Sequence, residues 1–268
     1  VSLITFSSCQ QEVQKPNSVY VNFPQTVKLK ARVISQDSVM FRYPFRIHIR
    51  EDKAVVMDLH ATEYFFHAFS YPDFHYLTSF GRRGDAPEEI LSAENFRWNG
   101  RFLWTLDSNK SELTRFGFAS SSDSLLSLEV VSLDEELLRA LDFVQYDDST
   151  FIIPDYSGDS RFCLVSRQGK LLRKVGNIPT TNEDALESAR PALAQAWRSF
   201  IDYNPHNGIL VAATQLGEVL EIYNLKDSTH IACIGPNGEP EFQISQGYGI
   251  PTGIMGFSDV QVTDTAIY

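Results

Sequence analysis

FLWTLDSNKSELTRF (residues 102–116) is an apolar run that stops at an aspartate, turns through small polar residues and resumes as an amphipathic run. Before it, NFRWNG (95–100) is a shorter run ending in an Asn-Gly turn. After it, SLLSLEVV (124–131) alternates apolar and polar residues. Short runs of this kind, separated by residues that tolerate positive φ or close Asx turns, read as four consecutive antiparallel strands.

The same unit recurs. FRIHIREDKAVVMDLHATEYFFHAF begins at Phe45, DFVQYDDSTFIIPDYSGDSRFCLVS at Asp142 and SFIDYNPHNGILVAATQLGEVLEIYNL at Ser199. The second run of each is the most apolar: AVVM, FLWTL, FIIP and ILVAA. An aspartate follows it at Asp58, Asp107 and Asp155, at spacings of 49 and 48 residues. The fourth unit has Thr214 there, 59 residues on. TNEDALESARPALAQAW (181–197) accounts for the extra length, with a helix-forming composition, Asn182 as a cap and a break at Pro191. A period near 48 with four strands per unit is the pattern of a β-propeller, whose small sheets bury both faces by stacking around an axis. The expected blades cover 45–90, 92–134, 140–178 and 197–236. GFSDVQVTDTAIY (256–268) starts a fifth, an expected strand over 27–34 precedes the first, and the ring reads as cut short at both ends. GYGIPTG (247–253) reads as a loop around a proline.

FGRRGDAPEEI (80–90) contains Arg83-Gly84-Asp85, and CIGPNGEPEFQI (233–244) shares its skeleton of spaced glycines before Pro-Glu or Glu-Pro. A stretch that recurs between units is punctuation. Its place between strands ranks a blade connection above an adhesion ligand, and the strand that follows argues against a phosphate loop.

The chain has 268 residues, with 23 Lys and Arg against 34 Asp and Glu, a formal charge of −11. That balance disfavours nucleic acid as a partner. Residues 1–18 read as a lipoprotein signal remnant and tether, ahead of a propeller domain over 19–268. Apolar Leu3–Phe6, small Ser7 and Ser8, then Cys9 and an abrupt polar stretch fit a lipid-modified cysteine, although Phe6 stands where a lipobox has leucine. The expected location is the cell envelope, held at the membrane by the anchor.

FGRRGDAPEEI, FLWTLDSNKSELTRF and FSSC together resemble the six-bladed TolB-like and NHL-like propeller lipoproteins of Bacteroidota. Asp107, Asn109, Leu113 and Phe116 match that pattern residue by residue, while Thr214 and VGNIPTTNEDA (175–185) depart from it. The resemblance implies architecture more than activity, because propellers host many functions.

No catalytic set stands out, and neither the six histidines nor the three cysteines have metal-ligand spacing. Cys163 and Cys233 read as inert strand thiols, and His48 and His67 as packing or hydrogen-bonded residues. The repeated Asp58, Asp107 and Asp155 read as caps of a common corner. Asn95, Asp142, Asp202 and Asp259, near the starts of inner strands, are the candidates for a cation on the central channel. Two readings follow. One is an anchored module that binds a protein or glycan on its loop face without a cofactor. The other is a calcium-dependent, lactonase-like hydrolase or lyase in the channel.

Overall fold

The computed structural model describes residues 18, 19, 28, 30–34, 38–119, 123–245 and 248–268. Four antiparallel four-stranded sheets follow one another in the chain. Blade one is β2 (Pro44–Arg50), β3 (Lys53–Asp58), β4 (Tyr64–Ser70) and β5 (Tyr76–Arg82). Blade two is β6 (Ala93–Asn99), β7 (Phe102–Asp107), β8 (Glu112–Phe118) and β9 (Leu125–Ser132). Blade three is β10 (Val144–Asp147), β11 (Thr150–Pro154), β12 (Phe162–Ser166) and β13 (Leu171–Val175). Blade four is β14 (Ser199–Asn204), β15 (Ile209–Thr214), β16 (Val219–Asn224) and β17 (Thr229–Ile234). Gln261 and Tyr268 exchange backbone hydrogen bonds at 3.0 and 2.9 Å, forming the expected first hairpin of a fifth unit.

The unbroken apolar second runs are explained by burial on both sides. Successive residues of a strand face opposite ways, so a sheet sandwiched between neighbours needs apolar residues at every position. Phe151 and Ile153 of β11 pack toward blade two with Trp104, Leu106 and Phe143. Ile152, between them, packs toward blade four with Leu210 and Ala212. In β15, Val211 and Ala213 turn the other way, onto Val260 and Val262 of the fifth unit.

Each repeated aspartate closes the corner between second and third strands. The Asp107 carboxylate accepts Asn109 and Lys110 N–H, both at 3.0 Å, and also Leu91 and Ser92 N–H at 2.6 and 3.2 Å from the segment entering the blade. Asp58 does the same with His60, Arg42 and Tyr43 N–H. Asp155 holds only its own corner, accepting from Ser157 and Ser160 N–H. Thr214 substitutes a hydroxyl that accepts from Val219 N–H at 3.1 Å.

The 80–90 stretch is a connection. Gly81 has φ +65°, and a Cβ there would lie 2.6 Å from the Phe66 ring. Arg83 donates to the Ala61 carbonyl at 3.0 Å and lies over Phe65, and Gly84 N–H donates to the Ile90 carbonyl at 3.0 Å, so two of the three RGD residues are tied into the fold, although Arg83 and Asp85 are both exposed.

Three expectations are corrected. The described part of 27–34 carries no strand; instead β1 (Ser18–Val19) pairs in parallel with β17, extending the outer edge of blade four. The single inserted helix is two, α1 (Glu183–Ser188) and α2 (Arg190–Ala196), because Ala189 leaves helical geometry just ahead of Pro191. The GYGIPTG stretch supplies a strand: β18 (Phe242–Ser245) and β19 (Tyr248–Pro251) form a hairpin against α2, where Gly249 gives way to the Ala192 carbonyl.

Replacing Asp107 with alanine strands four backbone donors at a corner only 3% exposed, so Asp107→Ala is expected to lose about 3 kcal/mol in urea melts. Asp85→Ala is expected to stay within about 0.5 kcal/mol of the parent. Equal melts for the two variants would refute the corner's role.

Candidate functional site

The inner strands β2, β6, β10 and β14 line the axis, and their register places side chains in two layers. Arg46 pairs with Met57, one residue before Asp58, and Asn95 with Leu106, one residue before Asp107. One pleat along, His48, Arg97, Val144 and Asp202 all pair three residues before the corner residue of their own blade. Equivalent positions in successive blades therefore meet at the axis.

All four candidates for a cation site come together there, around two guanidinium groups. Arg46 donates to Asn95 Oδ1 and, at 2.6 Å, to Asp259 Oδ1. Asn95 Nδ2 donates in turn to Asp142 Oδ1. Arg97 donates to Asp142 Oδ1 at 3.1 Å, to Asp202 Oδ1 at 2.8 Å and to the carbonyls of Phe143 and Ile201. Backbone N–H groups take up remaining lone pairs: Ile201 donates to Asp142 Oδ2 at 3.0 Å, and Val262 to Asp202 Oδ2 at 2.7 Å. This donor set does not fit a divalent cation, which would sit beside two fixed positive charges. Among the described residues no group of three or more His, Cys, Asp or Glu side chains is arranged to hold a metal ion. Around Asp155 and Asp159 the positive charge is an ammonium, Lys174 Nζ, at 3.5 and 2.8 Å.

The arginines were not singled out from the sequence. Their signal was the inner-strand alternation of Arg46 and His48 in blade one against Asn95 and Arg97 in blade two, which only the strand register turns into two axial layers.

Burial opposes the charge on Arg97, and Asp142 and Asp202 outweigh it, holding the guanidinium above its ordinary value. Asp202 is pushed up by burial, against the pull of Arg97. Burial also works against Arg46, reinforced by Arg97. Cys163 fits an inert thiol, pushed up to about 12 by burial. The His67 ring hydrogen-bonds Ser79 Oγ at 2.8 Å.

Above the first layer lies a cavity of about 340 Å³. It opens on the face where inner strands begin and the aspartate corners gather. Arg46, Asn95 and Asp142 form its floor. Tyr43, Phe45, Phe200 and Phe257 supply aromatic walls, and Glu94, Arg198 and Gln215 a polar side. Tyr43 stacks on His60 at 5.0 Å, and the Arg46 guanidinium lies 5.4 Å from the Phe200 ring centre. A larger recess of about 530 Å³ lies between the helical insertion and the blade-three corner, but Asp159, Asn177, Thr181, Arg190 and His230 on its lining are partly or wholly exposed. The channel-mouth cavity is the better candidate because buried, fixed polar groups and aromatic surfaces converge on it.

His48 faces the axis and is pushed down to about 3 by burial and by the charges of Arg97 and Arg46. Its ordinary value is 6.5, so the folded chain holds it neutral and unfolding takes up a proton below that pH. Stability contributed by the neutral ring is whole above 6.5 and declines as pH falls toward 3. His48→Leu is expected to flatten the stability profile between about pH 6.5 and 4.5, above the range where most carboxylates titrate. Urea melts across that window check it, and parallel profiles for parent and variant would refute it.

No curated protein matches the chain in sequence. Among solved structures, a Bacteroides fragilis protein described as exported aligns over 76% of this chain and 54% of its own, at 11% identity and a TM-score of 0.52. U3-55K aligns over 78% of this chain and 56% of its own, at 9% identity and a TM-score of 0.51. The chain thus spans just over half the length of both, and these likenesses show the fold alone. The TolB-like 6-blade propeller-like family matches residues 22–268, and with its four-stranded blades around an axis this chain belongs to that family.

Proposed function

We propose that this chain is the binding module of a lipid-anchored envelope protein, taking up a protein or glycan partner on the face where its inner strands begin. The observation that carries this reading is the channel-mouth cavity, with aromatic walls and a floor of mutually paired polar groups. Such a floor orients a ligand without itself changing. The carboxylates of the network favour binding over hydrolysis: Asp142, Asp202 and Asp259 each accept from guanidinium and backbone N–H donors, which commits them to the fold rather than to a substrate. The rim adds exposed apolar side chains, Ile254 at 62% and Met255 at 76%, of the kind that mark contact surfaces.

A photo-crosslinking residue at Met255 is expected to capture a partner from envelope extracts, and one at Arg101, in the turn at the opposite end of blade two, is expected not to. Equal capture from both ends would count against the assigned face.

The anchor rests on Cys9, which lies outside the described residues. Among those residues no helix is long and apolar enough to cross a membrane. A multiply acylated cysteine would hold the propeller at the surface with its loop face free. Labelling with a fatty-acid analogue is expected to mark the parent and not Cys9→Ala, and equal label in both would remove the anchor.

A further inference from the structure

We infer that the channel-mouth cavity takes a neutral pyranose ring, stacked on Tyr43 and Phe200 and bridging Glu94 and Arg198 through a hydroxyl. This rests on the binding reading above and narrows its ligand class.

Charge is the first ground. Arg46 on the floor is matched by Asp259 at 2.6 Å, Arg97 beneath it by Asp142 and Asp202, and Arg198 on the wall by Glu94. Three guanidinium groups thus face four carboxylates, so an anionic ligand would find no unmatched counter-charge and would lose its own hydration.

The second ground is the state of the wall pair. Arg198 Nη2 and Glu94 Oε2 stand 3.7 Å apart, too far for a hydrogen bond. Arg198 Nε is buried with no hydrogen-bond partner among the described residues. Glu94 Oε1 is already positioned by the Ser108 hydroxyl at 3.0 Å, so the carboxylate is fixed. A ligand hydroxyl suits such a pair, because one oxygen both donates to a carboxylate and accepts from a guanidinium. An apolar side chain placed there would leave both groups dry and unpaired.

The third ground is the aromatic wall. Tyr43 is 49% exposed and is held by stacking with His60 at 5.0 Å and with Phe45 at 6.2 Å, which fixes an aromatic surface at the opening. Phe200 is backed by Arg46. A pyranose presents an apolar face of C–H groups and a rim of hydroxyls, the same division of apolar and polar surface that the cavity has. At about 340 Å³ the cavity is at the small end for ligand sites and suits a single ring or a chain end.

The test is saturation-transfer NMR with titration of the chain at neutral pH. The probes are free glucose, galactose, mannose and N-acetylglucosamine, with acetate and a blocked dipeptide as controls. At least one sugar is expected to saturate and acetate is expected not to. Tyr43→Ala and Arg198→Met, checked for folding by thermal melts, are expected to weaken that sugar by about tenfold or more. Arg101→Ala, at the opposite end, should leave it unchanged. Saturation by acetate or the dipeptide with none by the sugars overturns the ligand class and leaves a binding module standing. Sugar binding at parental affinity in both wall variants overturns the site. Silence of every probe overturns the inference, and only if crosslinking at Met255 also fails does the binding reading fall with it.

Discussion

The guanidinium of Arg97 is the interaction on which the arrangement of blades depends. It sits on blade two and reaches Asp142 and Phe143 of blade three, then Asp202 and Ile201 of blade four. Burying a charge is costly unless every donor finds an acceptor, so this one group specifies the spacing of three inner strands together. Arg46 repeats the device from blade one, reaching Asn95 on blade two and Asp259 at the start of the fifth unit. A third buried guanidinium, Arg161, ties blade three to Glu221 and Ser199 of blade four, with 1% and 0% side-chain exposure for the ion pair. Apolar stacking supplies much of the attraction between blades, and an imperfect apolar fit costs less than stranding a buried charge. The directional arginine contacts supply the register.

The same network shapes the candidate site. Arginines and carboxylates that satisfy one another make a polar floor beneath its aromatic walls. The inserted helices and the β18–β19 hairpin widen the same face, the hairpin packing against α2 ahead of Met255 at the rim. The insertion, the extra hairpin and the candidate cavity thus gather on one end of the propeller, while the opposite end consists largely of short strand-to-strand turns.

Much of the fold was legible because its signals are local. The corner aspartates hold N–H groups two to sixteen residues away, so one blade displays the whole device and the repeat displays it again at Asp58, Asp107 and Asp155. Even Thr214, which departs from the pattern, keeps an acceptor at the corner. The failures were non-local. Nothing near residues 27–34 shows that Ser18–Val19 would take the edge of a strand more than 200 residues later. Nothing within GYGIPTG shows that a helix carbonyl would lie against Gly249.

The sequence by itself determined the four-strand unit, its period, the two-faced burial of its second strands and the capped corners, because each depends on alternation and hydrogen bonds within a few tens of residues. Asn95, Asp142, Asp202 and Asp259 could also be placed near the axis, from their positions at the starts of inner strands. What they face was decided only by tertiary structure. Contacts of Arg46 with Asp259 and Arg97 with Asp202 span 213 and 105 residues and exist only once blades pack in register. The charge of an axial side chain is written in the sequence, but its partner is chosen by the packing of the blades, and that choice made a paired arginine floor out of a candidate cation site.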